Sequence, residues 1–242
     1  MEYSALSDIG LKREKNEDNW NIVLNNDGQP VGFIVADGMG GYIAGEEASR
    51  IAVEQVSSLV LDCIALNTVE KMRNFMVKRI KAINENIMAY SAKKLGGLKS
   101  GTTLSMGIVK GDTLYIAHIG DSRVYQVRDN SIRLVTTDHS YVAELVKEGL
   151  LTVDQASNHP DKNKITRALG FKDSYMPDFY EEGIQPGDVY IFCTDGLYEH
   201  LADHEILEVI NSESTEDAAR RLIALANERG GNDNITVIIA KI

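Results

Sequence analysis

The sequence predicts an α+β fold in which antiparallel strands carry a layer of helices. Three observations predict it. Stretches with period-two alternation are punctuated by hairpin turns, the pattern of antiparallel neighbours. Other stretches repeat apolar residues at helical spacing. Finally, Glu17, Asp18, Asp37, Asp195 and Asp233 fall where strand patterns begin or end, near both termini of the 242-residue chain. In antiparallel sheets the end of one strand lies beside the start of the next, so these carboxylates share one edge and residues 1–242 are expected to form a single domain.

The elements follow in order. Residues 19–24 and 31–36 form a hairpin across Asn25-Asn26-Asp27-Gly28-Gln29-Pro30, a run of strong turn formers, with Asp18 and Asp37 at its open end. Ala48, Ala52, Val56, Leu59, Val60 and Cys63 mark a helix within 45–66, and Met72, Phe75, Met76, Ile80, Ile83 and Ile87 mark a second, both lying over a sheet. Residues 101–137 read as a β-meander with turns at Lys110-Gly111-Asp112 and Arg128-Asp129-Asn130 and a connection at Ile119-Gly120-Asp121-Ser122. Residues 141–170 read as short helical pieces around Gly149 and Pro160, which predicts a mobile insertion. A strand then closes at Asp195, two helices lie within 203–229, and a last strand starts at 235.

Composition narrows the function. Charged residues make up 25% and hydrophobic residues 43%, the balance of an ordinary globule. The net charge of −11 argues against a nucleic-acid partner, and no run approaches the ~20 apolar residues of a membrane span. The N-terminal MEYSALSDIG lacks the basic and apolar regions of a signal peptide, and Cys63 and Cys193 make no disulfide framework, so a reducing cytoplasm is expected; the protein is also expected to be a monomer.

The carboxylates carry the chemistry. Asp37 and Asp195 each precede a glycine, which lets an ion approach the backbone, and Asp121 joins them as a sixth acid. An all-oxygen cluster suits Mg²⁺ or Mn²⁺, whereas Zn²⁺ sites recruit His or Cys. Two such ions ~3.5–4 Å apart present an activated hydroxide in line to phosphorus, and no side-chain nucleophile is needed. Other phosphoryl-transfer signatures are missing: six residues after Cys193 stands Glu199 and not Arg, no Asp-x-Asp triplet occurs, Gly120-Asp121 continues as Ser122-Arg123, and there is no phosphate-cradling GxxxxGK[ST] loop. His118 alternates with Leu114 and Ile116 and reads as a core or rim histidine; Cys193 reads as a small core residue; His139 follows Asp138 near the flap, where it would meet substrate.

Eight ordered motifs cover nearly the whole chain: Arg13-Glu14-Lys15-Asn16-Glu17-Asp18, Asp37-Gly38-Met39-Gly40-Gly41, Ser100-Gly101-Thr102-Thr103, Ile119-Gly120-Asp121-Ser122-Arg123, Asp138-His139, Thr166-Arg167-Ala168-Leu169-Gly170, Thr194-Asp195-Gly196-Leu197 and Asp233-Asn234-Ile235-Thr236-Val237. Together they resemble the metal-dependent protein phosphatases of the 2C type. The resemblance implies a four-layer αββα sandwich and hydrolysis of phosphoserine and phosphothreonine in proteins by a metal-bridging hydroxide, opposing a bacterial Ser/Thr kinase. It implies that Asp37 bridges two ions, that the Gly38 carbonyl binds one and Asp195 with Asp233 the other, and that Glu17 and Asp18 act through water. Arg13 would grip the phosphate, and Asp121 with Asp195 would hold a third, weaker ion next to a flap at about 141–165. Many eukaryotic members have His where this chain has Met39, which cannot protonate a leaving alkoxide. A catalytically silent metal-binding regulator and an enzyme of a partner-switching pathway are the alternatives.

Overall fold

The computed structural model describes residues 1–40, 44–94, 96 and 100–242; Gly41 of the Asp37–Gly41 motif lies outside them. Strand β1 (Glu2–Asp8) comes first, then the hairpin of β2 (Asn19–Leu24) and β3 (Pro30–Ala36), then a short β4 (Gly38–Gly40). Helices α1 (Ala44–Ser57), α2 (Val60–Ala65) and α3 (Val69–Lys94) follow. Next come β5 (Ser100–Thr102), β6 (Leu104–Lys110), β7 (Thr113–Ile119), β8 (Arg123–Arg128) and β9 (Ser131–Leu134). After α4 (Tyr141–Lys147) and α5 (Val153–Ser157), the chain forms β10 (Asp178–Gly183), β11 (Val189–Cys193), α6 (Asp195–Tyr198), α7 (Asp203–Ser212), α8 (Thr215–Glu228) and β12 (Ile235–Lys241).

Two antiparallel sheets result, ordered β1-β12-β11-β8-β9 and β10-β7-β6-β3-β2. Side-chain alternation explains why they stack with helices outside. Phe33 and Val35 of β3 and Tyr190 and Phe192 of β11 face each other between the sheets, and Phe33 stacks on Phe192 with centroids 5.8 Å apart. The intervening residues point outward: Ile34 and Ala36 pack under α1–α3, while Ile191 and Cys193 pack under α6–α8. This is the expected αββα sandwich. Because both faces of its central strands are covered, those strands are apolar throughout.

Two expectations are corrected. The helix within 45–66 is broken into α1 and α2, because Ser57 and Ser58 turn their hydroxyls onto the Val53 and Gln55 carbonyls (2.6 and 2.7 Å) and compete with the helical ladder. The stretch 101–137 is not one meander: β6 and β7 pair in one sheet, whereas β8 and β9 belong to the other. The free edge of β7 is occupied by β10, so the chain must cross between sheets at Gly120-Asp121-Ser122. That crossing carries Asp121 into the same end of the sandwich as the other acids.

Candidate active site

The strand registers bring the carboxylates together. Asn19 pairs with Ala36, which sets Asp18 opposite Asp37 at the mouth of the first hairpin. In the other sheet Cys193 pairs with Val237, so Asp195 and Asp233 emerge side by side. Asp18 ties the two sheets: its Oδ2 accepts hydrogen bonds from Thr194 Oγ1 at 2.8 Å and Thr236 Oγ1 at 2.7 Å. The backbone of Asp37 is fixed at both ends, its N–H donating to Thr103 Oγ1 (2.8 Å) and its carbonyl accepting from the Thr102 hydroxyl and the Thr103 N–H, each at 2.9 Å. Gly38 must be glycine, since a Cβ there would lie 2.3 Å from the Gly45 carbonyl oxygen and 2.4 Å from that of Glu17.

The N-terminal acids depend on Asn234. Its Oδ1 accepts from the Glu17 N–H at 2.8 Å, and its Nδ2 donates to the carbonyls of Ile9 and Lys15, both at 2.9 Å. Ser49 closes the other side by donating to the Glu17 carbonyl at 2.5 Å. These supporting roles escape sequence reasoning, because Asn234, Thr194 and Thr236 acquire partners only through cross-sheet register. The only sequence signal is that polar residues sit at positions that alternation marks as core.

Asp121 is more than a turn residue. Tyr198 donates its hydroxyl to the Asp121 carbonyl at 2.9 Å, and the Arg123 guanidinium lies 3.6 Å from the centroid of that tyrosine while gripping Asp138 at 2.7 Å. From the opposite side the His139 N–H donates to the Gly120 carbonyl (2.7 Å), and Nδ1 accepts from the Gly120 N–H (3.1 Å). His139 is therefore buried against Gly120 and Asp178, behind Arg167, which lines the cleft. His118 and Cys193 are core residues, as their alternation predicts.

The electrostatics of this arrangement call for cations. Burial, and then the charges of Asp195, Asp18 and Asp121, hold Asp37 well above the usual carboxylate range. Asp195 is raised well above it by burial and by Asp121, Asp233 and Asp18. Burial is the main cause that pushes Asp18 and Asp121 each up to about 7. Glu17 is raised by burial, opposed by Arg13 and by the backbone N–H groups of Gly45 and Glu46. Among the described residues, the cluster's one salt bridge joins Arg13 to Asp233 Oδ2 at 2.5 Å.

Whether these residues suit a divalent ion can be tested on their unpaired atoms. Asp18 Oδ1, Asp121 Oδ1 and Asp195 Oδ1 are buried without a hydrogen-bond partner, and each such orphan costs about 1–3 kcal/mol. Among the described residues no three Asp, Glu, His or Cys side chains converge into a finished ligand set. Orphaned carboxylate oxygens, no nitrogen or sulfur donor and mutual repulsion fit a hard divalent cation. All six acids stand at one end of the sandwich, and Glu17, Asp37, Asp121, Asp195 and Asp233 line a cleft of about 1070 Å³.

Comparison with known proteins agrees with this geometry. Residues 13–235 match the family described as Protein phosphatase 2C. The chain is 38% identical to the serine/threonine phosphatase stp of Listeria monocytogenes serotype 4b, over 97% of this chain and 93% of that protein. Its fold superposes on the serine/threonine phosphatase of S. agalactiae with a TM-score of 0.88 and 37% identity, covering 98% of each chain. It also superposes on the catalytic domain of the phosphatase PstP, solved in complex with two manganese ions, with a TM-score of 0.85 and 33% identity over 99% of this chain and 97% of that one. By sequence, by fold and by the acids gathered at one end of its sandwich, the chain belongs to the protein phosphatase 2C family of protein-serine/threonine phosphatases.

Proposed function

We propose that this protein removes phosphate from phosphoserine and phosphothreonine in protein substrates with the help of Mn²⁺ or Mg²⁺. The observation that carries the reading is the set of buried, unpartnered oxygens on Asp18, Asp121 and Asp195, in a cluster whose one salt bridge among the described residues is that of Arg13 to Asp233. Asp37, the Gly38 carbonyl, Asp195 and Asp233 would hold two ions. Glu17 and Asp18 would act through water, since Asp18 Oδ2 is already committed to two threonines. Asp121, with Asp195, would hold a third and weaker ion. When bound, the ions supply a water activated at neutral pH and charge neutralisation at the phosphoryl group.

The chain's own residues then do the rest. Arg13 is half exposed, so its guanidinium can turn from Asp233 to the substrate phosphate once that carboxylate is engaged, and its planar fork suits two phosphate oxygens. Met39 has no proton to give, so the leaving alkoxide would take its proton from a water held near Asp121 or from solvent. Residues 141–165, carrying α4 and α5, would act as a flap, because Tyr141 and Lys164 already line the cleft. We read the whole of 1–242 as one catalytic domain that works as a cytoplasmic monomer against a Ser/Thr kinase.

The direct test is phosphate release from a phosphothreonine peptide. Turnover should require Mn²⁺ and fall by at least about a thousandfold in Asp37→Asn or Asp195→Asn, a loss of roughly 4 kcal/mol of transition-state stabilisation. Full activity in excess chelator would sink the reading. Asp121→Ala should slow turnover while two ions still bind, and a third ion still seated in that variant would show that Asp121 has been given the wrong role.

A further inference from the structure

The cleft continues past the carboxylates, between the end of α3 and the loop after Thr166, and this arm has its own chemistry. Its floor is apolar, with Met39, Met88 and Phe171 all half-buried. Its wall is cationic, with Lys164, Arg167 and Lys172, and every described carboxylate that lines the cleft belongs to the cluster discussed above. Lys164 is bridged to Asp161 at 2.9 Å and Arg167 to Asp178 at 2.8 Å. Lys172 is exposed and has no ion-pair partner among the described residues.

The backbone that presents Lys172 is unusually well fixed. Asn84, buried in α3, accepts from the Gly170 N–H at 2.6 Å and donates to the Phe171 carbonyl at 3.2 Å. Leu169 and Thr102 exchange backbone hydrogen bonds at 2.9 and 3.0 Å. Gly170, with φ of +92°, packs so closely that a Cβ would stand 2.1 Å from the Ser100 carbonyl oxygen, and the Phe171 ring covers Gly101. A long flexible cation therefore stands on a rigid base, beside an apolar shelf, in the same cleft as the reaction centre.

We propose that this arm is a subsite for the peptide flanking the target phosphoresidue: Met39, Met88 and Phe171 take an apolar side chain, and Lys172 takes a second anionic group, a carboxylate or a second phosphate. The proposal rests on the phosphatase reading above and adds a substrate class to it, namely acidic or multiply phosphorylated segments. An unpaired ammonium here meets an incoming anion without first breaking an internal salt bridge, which Lys164 and Arg167 would have to do.

The test compares phosphothreonine peptides that differ at one flanking position, occupied by Ala, Glu or phosphoserine and stepped along both sides. Loss of phosphate from the threonine is followed by mass spectrometry with the Mn²⁺-loaded full chain. At one position kcat/KM for the Glu peptide should exceed that for the Ala peptide by about fivefold, the upper range of one exposed ion pair, and phosphoserine should exceed Glu. The preference should shrink as salt is raised. Lys172→Ala should bring the ratio to about one, Lys172→Arg should keep it and Lys172→Glu should reverse it. Equal kcat/KM at every position, or a preference that survives Lys172→Ala, would overturn the subsite while leaving the phosphatase reading intact. Failure to hydrolyse any of the peptides would overturn both.

Discussion

Asp18 shows how one residue serves both fold and site: one oxygen locks the two sheets through Thr194 and Thr236, and the other is left buried and unpaired. The cluster as a whole works against stability, since burial and neighbouring acids hold Asp37 and Asp195 well above the usual carboxylate range. Asp195→Asn removes one of the repelling charges, so in chelator this variant should melt at or slightly above the parent chain, by up to about 3 °C for roughly 1 kcal/mol. Adding Mn²⁺ should then raise the melting temperature of the parent and not of the variant. A variant that melts far lower in chelator would show that Asp195 holds the fold together instead. Asp37, Asp195 and Asp233 are readable from the sequence because each stands where an apolar run stops or starts. Asn234, Thr194 and Thr236 are readable as residues but not as roles, since their partners lie across the sandwich. His118 makes a separate pH prediction. Burial, helped by neighbouring His139, holds its ring down to about 3, so it is neutral in the fold. As pH falls below the ordinary histidine value of ~6.5 the unfolded chain takes up a proton that the folded chain refuses, and stability drops by about 1.4 kcal/mol per pH unit until about pH 3. His139, with its ring 4.9 Å away, and Asp178, paired with His118 across the strands, are the titratable groups that act on that ring. Urea unfolding at pH 7 and pH 5 should show the parent losing about 2 kcal/mol more than His118→Gln, and equal losses would mean that His118 is not the group responsible.

At the scale of elements, patterns that face a core on one side or both are recovered from sequence, and edges are not. Strand β10, Asp178–Gly183, carries DFYEEG, with acidic and half-exposed residues, and nothing in its alternation announces that it caps the free edge of β7. Missing that strand is why 101–137 reads as one meander, although β8 pairs with β11 in the other sheet. Helix α3 has the opposite character. Its apolar stripe is plain from Met72 to Ile87, yet the residue that reaches the cleft loop is the polar exception, Asn84, which bonds to Gly170 and Phe171. Asn84→Ala leaves the half-buried Gly170 N–H and Phe171 carbonyl without their side-chain partner and should cost about 1 kcal/mol, or roughly 2–4 °C in melting temperature. Its effect on turnover should be larger on KM for peptides than on kcat, because the loop it frees lines the cleft without carrying the carboxylates. An unchanged melting temperature would mean that the loop is held by Leu169 and Thr102 alone.

Across the whole molecule the two ends of the chain are joined, β1 pairing along its full length with β12 from Glu2↔Lys241 to Asp8↔Ile235. Neither sheet is built from a continuous stretch of sequence: the sheet holding β1 and β12 also takes β8, β9 and β11, while the other takes β2, β3, β6, β7 and β10. Phe33 and Val35 on one side and Tyr190 and Phe192 on the other then make a shared core between the sheets, one that each sheet would expose to water if the other came apart. Truncating a buried Phe of this kind costs about 3–5 kcal/mol, so separating the sheets, which strips many such contacts at once, should be far costlier than the net stability of a domain. Partial unfolding of one sheet is therefore unfavourable, and unfolding should be all-or-none. Trp20, the single tryptophan, stands on the β2 edge of one sheet and reports that sheet by fluorescence, whereas far-ultraviolet circular dichroism reports helices on both sides. In urea the two signals should trace one coincident transition, and saturating Mn²⁺ should move both midpoints upward together, because the acids that would share the ions come from both sheets. Two separated transitions, or a Mn²⁺ shift seen by only one probe, would show that the sheets fold as independent units and that the carboxylate cluster does not staple them.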